Sequence, residues 1–369
     1  MTISAFSDEL AQVRTKKKEF LSQIERIVPW KEWLAMIQPC YYKGERGNKP
    51  YPLEIMLRLY LLQNLYDLSD EATVAEAIDS RAFSESCGVD SSNQVPDGDT
   101  LGRFRNLLIK NGLQEKLFAQ VVGLLTQRGL ILKKGTIVDS TIIAAPSSTK
   151  NKEKKRDPEA HQVKKGNTWH FGYKAHIGVD KDSGLVHTVE ATASNVHDVT
   201  EASRLLTGDE DEVYGDSGYL GAGKREDTVV ENKSGPKIQY KINIRPSQIK
   251  KLSKEEQAVV KEAEHVFGVV KKQLRFRKTR YRGLEKQKAK FNIMFALANL
   301  ILADRPCLAA RVSALTRAKI WGNTKLLCRS SRYLSDFNCC AVLPLLHFRH
   351  HFWLMALLYH IRQRDGSFD

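Results

Sequence analysis

The chain is poor in several residues and patterns that would have decided its class. Only six cysteines occur in 369 residues and none is spaced as Cys-x-x-Cys, so a disulfide framework and a dithiol redox motif are both excluded and a reducing compartment is expected. No Pro-, Gly- or Ser-rich stretch is long enough for a disordered linker, and no internal repeat is visible. Met1 to Asp8 lack a basic segment followed by an apolar one, so no signal peptide is expected. The most apolar region, Cys339 to Leu358, is broken by His347, Arg349, His350 and His351 and makes a poor membrane span. Acids are scarce beside bases: 43 Asp and Glu stand against 58 Lys and Arg, a formal net charge of +15. That imbalance favours polyanionic partners, because each cation near a phosphate releases condensed counterions. On charge alone, a generally basic protein without such a partner is an equal reading.

What is present is enough for a sizeable core, since 42% of the residues are hydrophobic and the length suggests two domains with an appendage. Residues 1 to about 130 carry apolar residues at helical spacing and no clear alternating strand, which predicts an all-α domain. Within it, Leu53 to Leu65 is a strongly apolar helix after Pro50 and Pro52, and Ser69 is placed to cap a helix running through Ala77. Pro96 to Thr100 is a turn that opens another helix, Leu101 to Ile109, with Arg103 and Arg105 beside Phe104.

From about residue 131 the pattern becomes β. Gly135 to Asp139 is short and β-branched, His176 to Asp180 and Gly184 to Glu190 flank a turn as a hairpin, Asp198 to Leu206 is helical, and Glu212 to Asp216 is the next strand. A helix from Lys254 to about Arg275 follows, and Asn292 to Leu302 forms a final apolar helix. This order predicts an α/β mixed sheet covered by helices. Lys150 to Arg156 and Lys164-Lys165 are expected in a solvated loop near Asp139, where contact with DNA is a second role. Trp169-His170-Phe171-Gly172-Tyr173 opens a strand, where aromatics usually belong to a core, although such residues also stack on displaced bases. After Asp304-Arg305-Pro306 the pattern turns irregular and holds four of the six cysteines; the His347-Phe348-Arg349-His350-His351 cluster there lacks regular ligand spacing.

Three carboxylates carry the chemistry. Asp139 ends one apolar strand, and Asp216 ends another before a Gly-containing turn, so both are predicted at one edge of a sheet. A short acid in that setting is commonly a turn or cap residue, and Asp180, Asp198 and Asp209, similarly placed, are expected to have no catalytic role. Glu264 lies on a helical wheel beside the apolar stripe Ala263, Val266, Phe267, Val270 and Leu274, sharing a face with Gly268, Lys271 and Arg275. The run Lys271, Lys272, Arg275, Arg277, Lys278, Arg280 and Arg282 is suited to tracking a phosphate backbone toward that acid. Carboxylate oxygens suit Mg²⁺, and two divalent ions about 4 Å apart can activate water and stabilise the leaving oxygen of a phosphodiester.

Asp139, Asp216 and Glu264, with Lys271 seven positions after the Glu, resemble the catalytic triad and the Glu-plus-Lys signature of bacterial DDE insertion-sequence transposases of the insertion sequence five group. Tyr214 to Tyr219, Ala193 to Asp198, Arg280 to Leu284, and Pro96-Asp97 leading to Phe104-Arg105 are similar to that group's usual surroundings, and the likeness covers roughly residues 5 to 305. Val260 and Gln257 stand where the family often has Arg and Tyr, with Lys261 a neighbouring charge. The resemblance implies a helical domain (1–130) that helps bind DNA ends, an RNase H-like catalytic domain (131–305) and an atypical tail (306–369). It implies two Mg²⁺ ions, replaceable by Mn²⁺, held by Asp139, Asp216 and Glu264, with Lys271 on a phosphate near the cut. Terminal inverted repeats and a target duplex would be the partners of a homo-oligomer that is cytoplasmic and nucleoid-associated when bound to DNA. The alternatives are an RNase H-like nuclease without strand transfer, or a decayed transposase that only binds DNA.

Overall fold

Local signals set the first helices. The Ser69 hydroxyl accepts from the Ala72 N–H and starts Asp70–Asp79, while the Asp97 carboxylate accepts from the Thr100 N–H at 2.6 Å and starts Gly98–Lys110. Leu53–Tyr66 is buried on nearly every face, as a helix apolar all round must be. With Lys16–Ile27, Trp30–Ile37, Arg81–Cys87 and Leu113–Gln127, these make an N-terminal helical region. The computed structural model describes residues 15–44, 49–150, 154–225, 238–244 and 263–305, which fall within one unit, Met1–Leu315. The expectations for Gln257, Val260, Lys261 and the tail from 306 onward lie outside the described residues. Among the described residues no helix is long and apolar enough to cross a membrane.

The rest is a mixed sheet. Its strands are β1 (Gly135–Ala144), β2 (His161–Lys165), β3 (Thr168–Asp180), β4 (Val186–Ala193), β5 (Glu212–Asp216) and β6 (Gln239–Ile244), ordered β2-β3-β1-β5-β6 with β4 also on β3. β1 is antiparallel to β3 and parallel to β5, and β5 is parallel to β6. Asp198–Leu205 and Leu284–Ala303 pack on the sheet, the latter docking through Asn299, whose amide exchanges two hydrogen bonds with the backbone of Val186. This last helix starts eight residues before the predicted Asn292, because its first turns carry Lys286, Lys288 and Lys290 and break the apolar pattern.

Two strands differ from the sequence expectation. β2 was expected as loop, since His-Gln-Val-Lys-Lys has no apolar face to signal it; it forms because β3 offers it a free edge. β6 does alternate, Gln-Tyr-Lys-Ile-Asn-Ile, and its signal is the ordinary period of two.

Polar contacts tie the parts together. Arg105 pairs with both carboxylate oxygens of Asp70, donates to the Tyr281 hydroxyl at 3.2 Å, and stacks over that ring at 4.3 Å. Arg280 donates to the Asp67 carbonyl at 2.9 Å. Burial pushes Lys290 down to about 8, against the pull of Asp67.

Two histidines are buried in the sheet. His187 Nε2 lies 3.0 Å from the Thr136 hydroxyl, and burial pushes its ring down to about 4, with Glu210 opposing and Lys133 adding; burial likewise lowers His176. As pH falls below about 6.5 the unfolded chain protonates such rings while the folded chain resists, so the unfolded state binds more protons and stability is lost on going from about 6.5 toward 4. Thermal melting between pH 7.5 and 5 should therefore show a falling Tm, with a slope of about 1.4 kcal/mol per pH unit for each ring and a flatter slope in His187→Gln.

Candidate active site

The parallel register of β1 and β5 pairs Ile137 with Tyr214 and Val138 with Gly215, so Asp139 and Asp216 follow at the same level on neighbouring strands. Strands in a ladder lie about 5 Å apart, which makes these two carboxylates close neighbours. Gly218 keeps Asp216 in place: its N–H donates to Asp216 Oδ1 at 2.8 Å, and a Cβ there would come within 2.9 Å of that oxygen and 3.0 Å of Asp198 Oδ2. On the other side Asp139 Oδ1 accepts the Ser140 N–H at 2.7 Å.

The third acid arrives on the helical segment 263–268. Ala263, Val266, Phe267 and Val270 are buried as the apolar stripe predicts, Phe267 meeting Phe295 edge-on with ring centres 6.2 Å apart, and Glu264 is left exposed at the margin. The helix does not run on regularly to Arg275. It widens into a π turn at Val269–Gln273, where Leu274 N–H donates to the Val269 carbonyl and Phe276 N–H to that of Val270, and Arg275 has a positive φ of 56°. Lys271 falls within this π turn, where the spacing is no longer 3.6 residues per turn. Its ammonium donates at 2.5 Å to the Thr141 hydroxyl, two residues past Asp139 on β1. Burial lowers the Lys271 pKa, with Lys165 and Arg277 adding and Asp139 opposing.

Asp139, Asp216 and Glu264 line one cavity of about 350 Å³, with Thr141 and Lys165 in the same wall. Burial pushes the Asp139 carboxyl up to about 7; Asp216 and Glu264 add to this, while the Ser140 N–H and Lys165 oppose it. The larger cavity of about 570 Å³ in the helical region lacks this convergence, because its Arg58 is already bound to Glu25, Glu54 and the Ser86 carbonyl.

Of the basic run, Lys272, Arg275 and Lys278 are exposed, whereas three arginines use part of their donor set internally. Arg277 donates to the Lys271 carbonyl, Arg280 to the Asp67 carbonyl and Arg282 to the Lys155 carbonyl. Lys165, expected in a loop near Asp139 with DNA contact as a second role, is instead the last residue of β2 and lines the cavity. Asp198, given no catalytic role, sits behind the site: Ser140 Oγ donates to it at 2.9 Å and Lys174 Nζ at 3.0 Å, and it lies 3.7 Å from His176 Nδ1. The signal for Asp198 was its place at the start of a helix directly after β4.

The donor set of the cavity, three carboxylates that repel one another, fits a hard divalent cation. Among the described residues the side chains ring the cavity without forming a closed three-ligand cluster.

Residues 131–300 match the Transposase DDE domain, and residues 8–107 match the Transposase domain DUF772. No solved structure matches the chain. The DDE match spans β1 to the last helix and contains all three carboxylates. The sheet part and the helical part of this one chain thus each match a transposase domain, and together they indicate a DDE-type transposase family.

Proposed function

We propose that the protein cuts and joins the ends of an insertion sequence, as a member of the insertion sequence five group, with Asp139, Asp216 and Glu264 as its catalytic carboxylates and an RNase H-like fold beneath them. The observation that carries this reading is the convergence of three acids, distant in sequence, on one cavity that also receives Lys165.

The three carboxylates would hold divalent ions, Mg²⁺ or Mn²⁺, which supply an activated water and charge stabilisation at the leaving oxygen. The chain's own groups do the remaining work. Ser140 N–H and Gly218 N–H fix one oxygen each of Asp139 and Asp216, so neither carboxylate has to reorganise when a substrate arrives. Lys165 and Lys271 present positive charge to a phosphate oxygen at the cavity wall, and Lys272, Arg275, Arg277, Lys278, Arg280 and Arg282 extend that charge along the DNA backbone. The free 3′ end left by hydrolysis would occupy the same cavity when it attacks a target duplex. The N-terminal helical region would bind the terminal inverted repeats as a domain of its own, in a homo-oligomer that pairs two ends.

The test is a labelled duplex carrying the element's inverted repeat, incubated with Mg²⁺ and a target duplex. Wild type should cut the end and join it, and Glu264→Gln should do neither. Equal activity in the variant overturns the site assignment; cutting without capture of the 3′ end leaves a nuclease.

A further inference from the structure

Ser140 and Gly218 fix the two strand-borne carboxylates, and both rest against one residue, Asp198, on the far side of the sheet. Successive side chains of a strand point to opposite faces. On β1, Ile137 joins the apolar cluster of Val266 and Phe267, on the side that carries Glu264, whereas Val138 joins Ala202, Leu205 and Tyr219 on the other. Asp139 therefore faces Glu264, and Ser140 faces the helix Asp198–Leu205. There the Ser140 hydroxyl donates to Asp198 Oδ1 at 2.9 Å, while its backbone N–H donates to Asp139 Oδ1 at 2.7 Å.

The turn after β5 is built the same way. Gly218 N–H donates to Asp216 Oδ1 at 2.8 Å, and a Cβ on Gly218 would meet that oxygen at 2.9 Å and Asp198 Oδ2 at 3.0 Å, so Gly218 lies wedged between the two carboxylates. Its φ is outside the left-handed region, so the position uses the missing side chain and not the backbone freedom of glycine. Asp198 is itself anchored from β3. Lys174, buried on the same face as Ser140, donates through Nζ to Asp198 Oδ1 at 3.0 Å and to the Val196 carbonyl at 2.7 Å. That ion pair is enough to fix the start of the helix. It does not account for the same carboxylate reaching Ser140 and Gly218, the two residues whose N–H groups hold Asp139 and Asp216. Those two acids repel one another until a cation neutralises them, so their spacing has to be imposed from behind.

We propose that Asp198 is a positioning residue: anchored by Lys174, it braces Ser140 and Gly218 from the back of the sheet and so holds Asp139 and Asp216 at the separation a divalent cation requires. The inference rests on the reading of the cavity as a divalent-cation site and adds that the site's geometry is set from the opposite face.

Calorimetry of Mn²⁺ binding to the full chain without DNA gives a readout independent of cleavage, and Asp139→Asn marks which binding belongs to the cavity. Ser140→Ala cuts one brace and leaves the Lys174–Asp198 anchor in place. It should weaken cavity binding about ten-fold, and Asp198→Ala, which loses both braces, should weaken it further, within the roughly 10- to 100-fold range of groups that orient metal ligands. Ser140→Thr keeps the hydroxyl and should bind like wild type. Because Ser140 acts through Asp198, Asp198→Ala with Ser140→Ala should bind no more weakly than Asp198→Ala alone. In cleavage, Ser140→Ala should need about ten-fold more Mg²⁺ for half its maximal rate and regain most of the wild-type rate at saturation. A merely structural role would lower Tm and the fraction of chain that binds, and leave the Kd of the folded chain unchanged. That result, Ser140→Ala binding like wild type, or full additivity in the double variant overturns the proposal. If Asp198→Ala does not fold, Ser140→Ala and Ser140→Thr decide by themselves. Mn²⁺ binding by wild type that is indifferent to Asp139→Asn would sink the cation-site reading itself, and the brace with it.

Discussion

Asp139→Asn is expected to lower Mg²⁺-dependent DNA cleavage by about a thousand-fold or more while raising thermal stability. The loss follows from the carboxylate's place between Asp216 and Glu264 at the cavity: an amide of the same shape removes the negative charge that a hard cation needs, and such charge stabilisation is worth several kcal/mol of barrier. The gain follows from the same geometry. Burial and the two neighbouring acids oppose the ionised form of Asp139, so at pH 8 in chelator the folded chain carries a strained charge that the unfolded chain does not. Removing it should raise Tm by a few degrees, on the order of 1 kcal/mol, a trade of stability against function of the kind found at preorganised sites. Single-turnover cleavage and thermal melting in EDTA give the two readouts. A variant that loses activity with a lowered Tm would mean that Asp139 is structural, and one that keeps activity would remove it from the site.

Arg105→Ala is expected to destabilise the fold by about 3 to 5 kcal/mol without touching the cavity. The guanidinium is buried against Asp70, Gln63 and Tyr281, and its loss leaves the Asp70 carboxylate without its charge partner and the Tyr281 ring without its stacking plane. Those contacts join the helical region to the segment that follows the π turn, so the penalty falls on the union of the two parts. Arg105→Lys should recover only part of it, because an ammonium can neither fork onto both oxygens nor stack as a plane. Urea denaturation of the single variants and of Arg105→Ala with Asp70→Ala measures the coupling: a double variant that costs less than the sum of the singles is expected, and strict additivity would show that the pair does not act as a unit.

Arg105 also shows where sequence reading stops. Beside Phe104 on an amphipathic helix it looks like a surface base, and nothing in its spacing announces Asp70 or Tyr281, the latter 176 positions away. Lys165 was hidden for a related reason. Its strand has no apolar face, so it carries no period for a local rule to detect, and the pairing of β2 with β3 is what sets Lys165 in the lining of the cavity that holds Asp139. Lys271 lies inside the π turn Val269–Gln273, a local widening that no apolar period announces, and its ammonium donates to Thr141 in the cavity wall.

By itself the sequence determined the local decisions: the caps at Ser69 and Asp97, the all-round apolar helix from Leu53, the strands before Asp139 and Asp216, and the buried stripe that carries Glu264 at its edge. These follow from period and capping, which act over a few residues and are written in adjacent letters. Only the tertiary structure decided what meets what. Parallel pairing of β1 with β5 sets two of the acids side by side, helix packing through Phe267 brings the third, and the overhang of β3 leaves Trp169 in water. Each of these depends on contacts between residues tens to hundreds of positions apart, where the free energy of burial, and no local preference, selects the partner.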